Sequence, residues 1–443
     1  MVWLDKLGII GKNIATLLLL SVLLPFNLTW VILTVLLSVF RRRSMTSSGK
    51  TIMVSGGKMT KALHLARAFH RRGHRVILLE THKYWLIGNR FSWCIDRFYT
   101  VPDPRSADYA ESLLAIVLKE KVDVYVPVCS PVASYYDAKA IDVLQKHCQV
   151  FQPNPEIVTL LDDKYQFIKK AEELGLNVPR SFIITDRQQV LDFDFSQEKH
   201  PFILKSIKYD AVRRLNLTKL PCQTKEETIE FVNSLPISST NPWIMQEFIT
   251  GQEYCTHSTV KDGELRVHCC CQSSAFQVNY QYVEHPEIKE WVSTFIKALG
   301  LTGQISFDFI QSNQDGKIYP IECNPRTHSA ITMFYNHPDL ADAYLAEEFS
   351  KTIVPLPNSL PTYWLYHELW RLFTHLFNWQ EVNKRLNIIL YGKEAIFSFD
   401  DPLPFLMVYH WQIPLLILRD LIELRGWIRI DFNIGKLVQL DGD

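Results

Sequence analysis

The stretch Gly303–Ala330, GQISFDFIQSNQDGKIYPIECNPRTHSA, reads as two strands joined by a turn at Asn313-Gln314-Asp315-Gly316. In the first strand Asp308 sits among Phe and Ile; in the second, Glu322 and Asn324 are two residues apart and share one sheet face. Folding about the turn brings Asp308 roughly opposite Glu322, so three oxygen ligands meet on an otherwise apolar sheet. Buried carboxylates are costly unless paired or metal-bound. Clustered carboxylate and amide oxygens suit Mg²⁺, which keeps positions for phosphate and water. Arg326 follows at once and supplies a guanidinium fork for a phosphate or carboxylate.

Working outward, the chain of 443 residues has room for two or three domains. Its 47 Lys+Arg balance 47 Asp+Glu, and no basic stripe with interleaved aromatics occurs, so nothing points to nucleic acid as a partner. Nine Cys lack paired CxxC spacing, which fits a reducing compartment rather than a disulfide framework. Cys269-Cys270-Cys271 falls in a strand-like segment, where neighbours face opposite ways and read as small buried hydrophobes.

Ile14 to Phe40 is 27 residues without a charge, longer than the roughly 20 needed to span a bilayer as a helix. Arg41-Arg42-Arg43 follows directly, and no small-residue cleavage site separates it from the body. Residues 1–43 therefore read as a retained membrane anchor, with the catalytic body on the cytoplasmic face. Pro25-Phe26-Asn27 interrupts the run near its middle, which leaves a re-entrant hairpin as an alternative to a single span.

After a polar linker, residues 49–155 read as a Rossmann-like α/β domain: strand Thr51–Val54, turn Ser55-Gly56-Gly57-Lys58, helix Thr60–His70, strand Val76–Leu79 ending at Glu80. A Gly turn opening a helix is an anion or ligand site, although this one lacks the GxGxxG dinucleotide fingerprint. Ser130 stands at the carboxyl end of strand Val122–Val128, where ligands sit in open α/β sheets; it is a candidate substrate contact or a helix cap.

A second domain is expected over 156–349. A helix opens at Leu161-Asp162-Asp163-Lys164 and runs to Gly175; strand Phe202–Lys205 ends in a lysine; strand Trp243–Ile249 precedes Gly251-Gln252-Glu253. Residues 350–443 are a helical extension rich in Trp and Leu, with Pro404–Leu418 almost uncharged. Lys164 and Lys205, an acid-bearing strand and the hairpin together suit a nucleoside triphosphate held between two sheets. The lysines would neutralise phosphate charge. Gln246, Glu247, Phe248 and Ile249 would present backbone to a purine edge, and Glu253 would accept from ribose hydroxyls. Asp308, Glu322 and Asn324 would hold Mg²⁺.

With those residues in view, residues 49–345 resemble the ATP-grasp superfamily. The hinge motif looks like Gln246-Glu247-Phe248-Ile249-Thr250-Gly251-Gln252-Glu253, and the metal motif like Asp308 with Glu322-Cys323-Asn324. The phosphate lysines look like Lys164 and Lys205, and the transition-state arginine like Arg326, which makes Lys205 and Arg326 the implied catalytic pair. The phosphate-covering loop departs from the usual Gly-rich form: it reads SIKYDAVRR from Ser206, where Arg213 or Arg214 would substitute charge for backbone donors.

Segments VSGGKMTKALHLAR, DVYVPVCSPVASYYD, RRLNLTKLPC and IECNPRTHSAITMFYNHP further resemble the cyanobacterial ligases that form mycosporine-glycine. That resemblance implies ATP-dependent joining of glycine to the enolic cyclohexenone 4-deoxygadusol through a phosphorylated enol. His328 and Ser329 are then candidate acceptor contacts, with helix capping as their other reading. Two other classes stay open: a carboxylate–amine ligase of different substrate, and a membrane-tethered nucleotide-binding protein without turnover.

Overall fold

The computed structural model describes residues 2–39, 49–128, 130–207, 213, 216–273 and 279–439. The chain divides into two compact units. One comprises 1–152, 276–282 and 326–443; the other comprises 153–275 and 283–325. The expected separation of a 49–155 domain from a 350–443 extension is thus not how the chain packs, because both fall in the first unit.

In that first unit, β1 (Thr51–Val54), β2 (Arg75–Thr81), β3 (Arg97–Val101), β4 (Val124–Val126) and β5 (Gln149–Val150) form one parallel sheet in the order 3-2-1-4-5. The central strands β1, β2 and β4 are buried on both faces, as apolar runs require when helices cover a parallel sheet. Gly56 holds φ +67°, and a Cβ there would lie 2.0 Å from the Val128 carbonyl, so only glycine fits.

The N-terminal apolar run is a single helix, Val2–Val39, that continues through Pro25. The re-entrant alternative is therefore corrected. A proline costs a helix one hydrogen bond, and the amide of Asn27 does not cap a turn. It bonds the Tyr366 hydroxyl (2.7 Å) and the His410 ring (2.8 Å) instead. By length and composition, Lys6–Ser38 is long and apolar enough to cross a membrane, as is Leu403–Glu423. Arg41-Arg42-Arg43, on which the topology argument rests, lie outside the described residues.

The second unit has two antiparallel sheets. One is ordered β6 (Ser181–Ile184), β9 (Trp243–Glu247), β7 (Phe202–Ser206), β8 (Lys219–Leu220). The other is ordered β11 (Glu264–Gln272), β10 (Gly251–Lys261), β13 (Gly303–Ser312), β14 (Ile318–Asn324). The short β12 (Asn279–Tyr280) pairs with β15 (Thr362–Tyr363) in the first unit, as part of a sheet completed by β16 (Lys393–Glu394). The helix expected to open at Leu161-Asp162-Asp163-Lys164 is Lys164–Glu173, and a separate helix, Pro155–Asp162, precedes it. Asp163 turns extended between them, and its carboxylate caps the second by accepting from the Tyr165 and Gln166 amides.

Beneath one face of the β10–β14 sheet lies an aromatic core of Phe167, Trp291, Phe295, Phe307 and Phe309, with Trp291 and Phe295 stacked at 5.3 Å. Burying each such ring is worth about 1.5–3 kcal/mol. The alternation of β13 then fixes the opposite face: with Phe307 and Phe309 down, Asp308 points up.

Candidate nucleotide and metal site

The β13–β14 ladder sets Asp308 opposite Glu322 and Ser306 opposite Asn324, as the sequence predicts. The register slips between Asp308 and Phe309, because Phe309 pairs with Pro320 and Ile321 is extra. Pro320 is tolerated since β14 is the sheet edge. The same row continues across the sheet: Cys271 pairs with Cys255, Cys255 with Asp308, and Asp308 with Glu322. The Cys255 and Cys271 sulfurs are 3.3 Å apart. Contact with Cys255 and burial push the Cys271 thiol well up, so it is a protonated wall of the site. No spacing rule marks Cys255 or Cys271 in the sequence; only the strand register brings them beside the carboxylates.

Glu322 is the electrostatic centre. Burial works against its charge, but the Lys164 ammonium, the Asn324 amide, the Lys205 ammonium and a hydrogen bond from Asp308 outweigh it, holding its carboxyl below the usual range. Asn324 Nδ2 donates to Glu322 Oε1 at 3.3 Å. An ionised carboxylate, a second carboxyl group and an amide on adjacent strands form a hard oxygen set that fits Mg²⁺.

Lys205, near the end of β7, is half-buried, and desolvation there pulls its ammonium down to about 8 against the pull of Glu322. Its Nζ donates to Gln246 Oε1 at 3.1 Å, and Gln246 Nε2 donates in turn to Ser181 Oγ at 3.2 Å. The Lys164 and Lys205 ammoniums thus both act on Glu322.

A cleft opens between the two sheets of this unit, lined by Ile203, Lys205, Gln246, Phe248, Ile249, Glu253, Ile310 and Tyr319 among others. Apolar side chains from both sheets would sandwich a flat ring. Two of the hinge residues have their backbone amides in use within the sheet. Glu247 and Phe248 donate their backbone N–H groups to the Arg180 and Pro201 carbonyls, at 2.8 and 2.7 Å. The Glu247 carboxylate accepts from the Arg180 amide and faces His200 at 3.6 Å. Ile249, the next residue along, lines the cleft. Gly251 is required by packing: a Cβ there would stand 1.8 Å from the Gln311 carbonyl.

Most of the phosphate-covering loop, 208–212 and 214, lies outside the described residues, Arg214 included. Arg213 is half-buried in a turn that Asn216 closes by donating to its carbonyl at 2.9 Å.

Arg326, His328 and Ser329 belong to the first unit. Arg326 follows Asn324 by two residues and is half-buried. His328 caps the short helix Ser329–Phe334, its Nδ1 accepting from the Ala330 amide at 3.2 Å. Burial, with Lys61 and Arg326 nearby, pulls the imidazole down to about 3, so it is neutral at physiological pH. Ser329 Oγ accepts from Asn433 Nδ2 at 2.6 Å, and Lys61 Nζ donates to the Thr327 carbonyl at 2.5 Å. Lys61, Tyr280 (5.3 Å from the His328 ring) and Asn433 were not legible as site neighbours, because they come from distant parts of the sequence.

Ser130 is a helix cap, its Oγ accepting from the Ala133 amide at 3.3 Å. The Gly56-Gly57 turn is not an open anion site, which corrects the expectation. Glu80 fills it, accepting from the Lys58 amide (2.9 Å) and ammonium (3.1 Å), and Gly57 donates to the Leu79 carbonyl.

Residues 161–330 match the family model of the ATP-grasp domain. Among solved structures, N5-carboxyaminoimidazole synthetase from Staphylococcus aureus in complex with ADP is similar in fold at 15% identity and TM-score 0.52. That similarity covers 72% of this chain and 82% of the other. Phosphoribosylglycinamide synthetase from Anaerococcus prevotii is similar at 18% identity and TM-score 0.51, covering 68% and 76%. Biotin carboxylase from Campylobacter jejuni is similar at 14% identity and TM-score 0.52, covering 68% and 72%. No curated protein sequence matches the chain. The chain carries an ATP-grasp domain.

Proposed function

We propose that this chain is an ATP-dependent ligase that joins glycine to 4-deoxygadusol, giving mycosporine-glycine. At the coarser level it is an ATP-grasp enzyme that forms C–N bonds and uses ATP with Mg²⁺. The observation that carries this reading is the convergence of Lys164 and Lys205 on the Asp308–Glu322–Asn324 set, beside a cleft lined by the hinge residues. The substrate pair comes from the resemblance of VSGGKMTKALHLAR and IECNPRTHSAITMFYNHP to mycosporine-glycine-forming ligases.

In this reading the Gln246–Ile249 segment offers backbone to the purine edge and Glu253 accepts from the ribose hydroxyls. Lys164 and Lys205 neutralise phosphate charge. Asp308, Glu322 and Asn324 would hold Mg²⁺, which would supply positive charge at the phosphates. The enolate oxygen of the acceptor, a vinylogous carboxylate, takes the γ-phosphoryl group while the bond to ADP breaks. The glycine amine then adds to the carbon bearing that phosphate, loses a proton, and inorganic phosphate leaves. Arg326 stabilises the equatorial charge, and His328, as a neutral imidazole, contacts the acceptor. Residues 1–43 tether the enzyme to a membrane, with its body in the cytoplasm.

A survey of phosphate release across amino acids and enolic or carboxylic acids tests the reading. Release dependent on both glycine and 4-deoxygadusol supports it. Release with another carboxylic acid instead assigns a carboxylate–amine ligase, and no release with any pair assigns a binding protein. Positional isotope exchange in ATP, with 4-deoxygadusol present and glycine omitted, tests the phosphorylated enol.

A further inference from the structure

The segment Leu365–Tyr391 folds as two helices, Leu365–Thr374 and Trp379–Tyr391, joined by a short turn. Its polarity is inside out. Glu368 and Arg385 are both buried and paired at 3.2 Å, and Arg385 also bonds Glu381 at 2.7 Å. Outside stand Trp370, Phe373, Leu376, Phe377, Trp379 and Leu390, with Trp379 75% and Phe377 wholly exposed. Water would favour the opposite arrangement, because burying charge is costly and exposing aromatic rings forfeits their transfer free energy. So concentrated an apolar surface marks a contact site.

The N-terminal helix says what covers it. Its hydroxyls all bond back to their own helix: Thr16 to the Lys12 carbonyl, Ser21 to Leu17, Thr29 to Pro25, Thr34 to Trp30 and Ser38 to Val35. Its amides and its Lys12 turn onto the protein: Asn27 to Tyr366 and His410, Asn13 to the Trp427 indole, Lys12 to the Trp427 carbonyl. From Ile14 onward its exposed large side chains are Leu, Ile, Val, Phe and Trp, as hydrocarbon demands of a helix within it. Tyr366, the contact with this helix, lies on the same face of its own helix as Trp370 and Phe373, one and two turns on. The exposed aromatic face is therefore continuous with the docking face of a bilayer-length helix.

We propose that the Leu365–Tyr391 hairpin is a second membrane-contacting element, seated in the interfacial layer of the bilayer that holds the N-terminal helix. It rests on the membrane-tether reading. Helices of 10 and 13 residues are too short to span. Trp, Tyr and apolar residues interleaved with exposed Asn378, Gln380 and Lys384 suit the headgroup boundary.

The test uses the full chain with Phe377→Cys carrying a nitroxide, in vesicles of phosphatidylcholine and phosphatidylglycerol. Glu226→Cys is the aqueous reference, and the labelled parent chain supplies the background. The expected result is that oxygen relaxes the label at 377 several-fold more than a nickel chelate does, with the reverse at 226. If the protein floats with vesicles but nickel reaches 377 as readily as 226, the hairpin proposal falls while the tether stands. Spin–spin broadening at 377 that grows with protein-to-lipid ratio assigns the face to a second copy and overturns the proposal. Failure to float overturns the tether and the hairpin together.

Discussion

Asp308 stands directly opposite Glu322 across the β13–β14 ladder, and the ladder slips by one residue immediately beyond them. Two carboxyl groups side by side are poor neighbours in a protein built only for stability. Here Lys164, Lys205 and the Asn324 amide hold Glu322 ionised. Glu322→Gln should therefore leave the fold intact and lower turnover at saturating Mg²⁺ by about 100-fold or more, since a metal's charge stabilisation is worth several kcal/mol. Near-normal turnover with unchanged Mg²⁺ dependence would remove Glu322 from the metal set.

Lys205 gives a pH signature. Burial pulls its ammonium down to about 8, so it is charged below that pH and neutral above it. ATP favours the charged form. ATP affinity should weaken as pH rises through about 8, and binding near pH 8.5 should take up a proton. Calorimetry in buffers of different ionisation enthalpy measures that uptake. Lys205→Met should abolish it and weaken ATP binding; uptake that persists in this variant would place the proton elsewhere.

Gly251→Ala tests the hinge. The new methyl would stand 1.8 Å from the Gln311 carbonyl and 2.9 Å from the Ile310 side chain, so β10 and β13 must separate. Overpacking of this kind costs about 1–3 kcal/mol. The expected outcome is a Tm lower by several degrees and a raised KM for ATP, because Ile310 lines the cleft. An unchanged Tm would mean that the strand edge yields freely.

Arg326→Lys should lower turnover more than ATP affinity. A lysine keeps the charge but loses the planar fork that meets equatorial phosphoryl oxygens. Equal losses in kcat and in ATP affinity would make Arg326 a ground-state phosphate ligand.

Removal of residues 1–43 should not simply yield a more soluble enzyme. The helix shields Tyr366, His410 and Trp427, and its loss exposes their apolar surroundings. ATP binding should survive, because the Phe167–Phe309 core lies in the other unit. Light scattering should show more aggregation than the full chain in detergent. A monodisperse truncated protein would mean that the C-terminal helices close over the vacated face.

Much of the site was legible because it is local. The period of two in GQISFDFIQS and IYPIECN puts Asp308, Glu322 and Asn324 on one face, and Gly316 marks the turn. Lysine at the end of a buried apolar strand is likewise a local signal, and Lys205 stands where the sequence put it. The Gly56-Gly57 turn read as an anion site because sequence does not reveal which side chain folds back into it. Glu80 does so from the next strand.

The sequence by itself determined most of the elements, the face on which the carboxylates lie and the presence of a long apolar N-terminal segment, since short-range periodicity and backbone sterics set these. Only the tertiary structure decided that the Asp308–Glu322 row ends in the Cys255–Cys271 pair, because register between strands is a long-range choice. It also decided that Asn27 docks on Tyr366 rather than turning the chain, and that Asn433 reaches Ser329. Those contacts join residues more than 100 positions apart, where each side chain's partner is set by how whole helices and sheets pack.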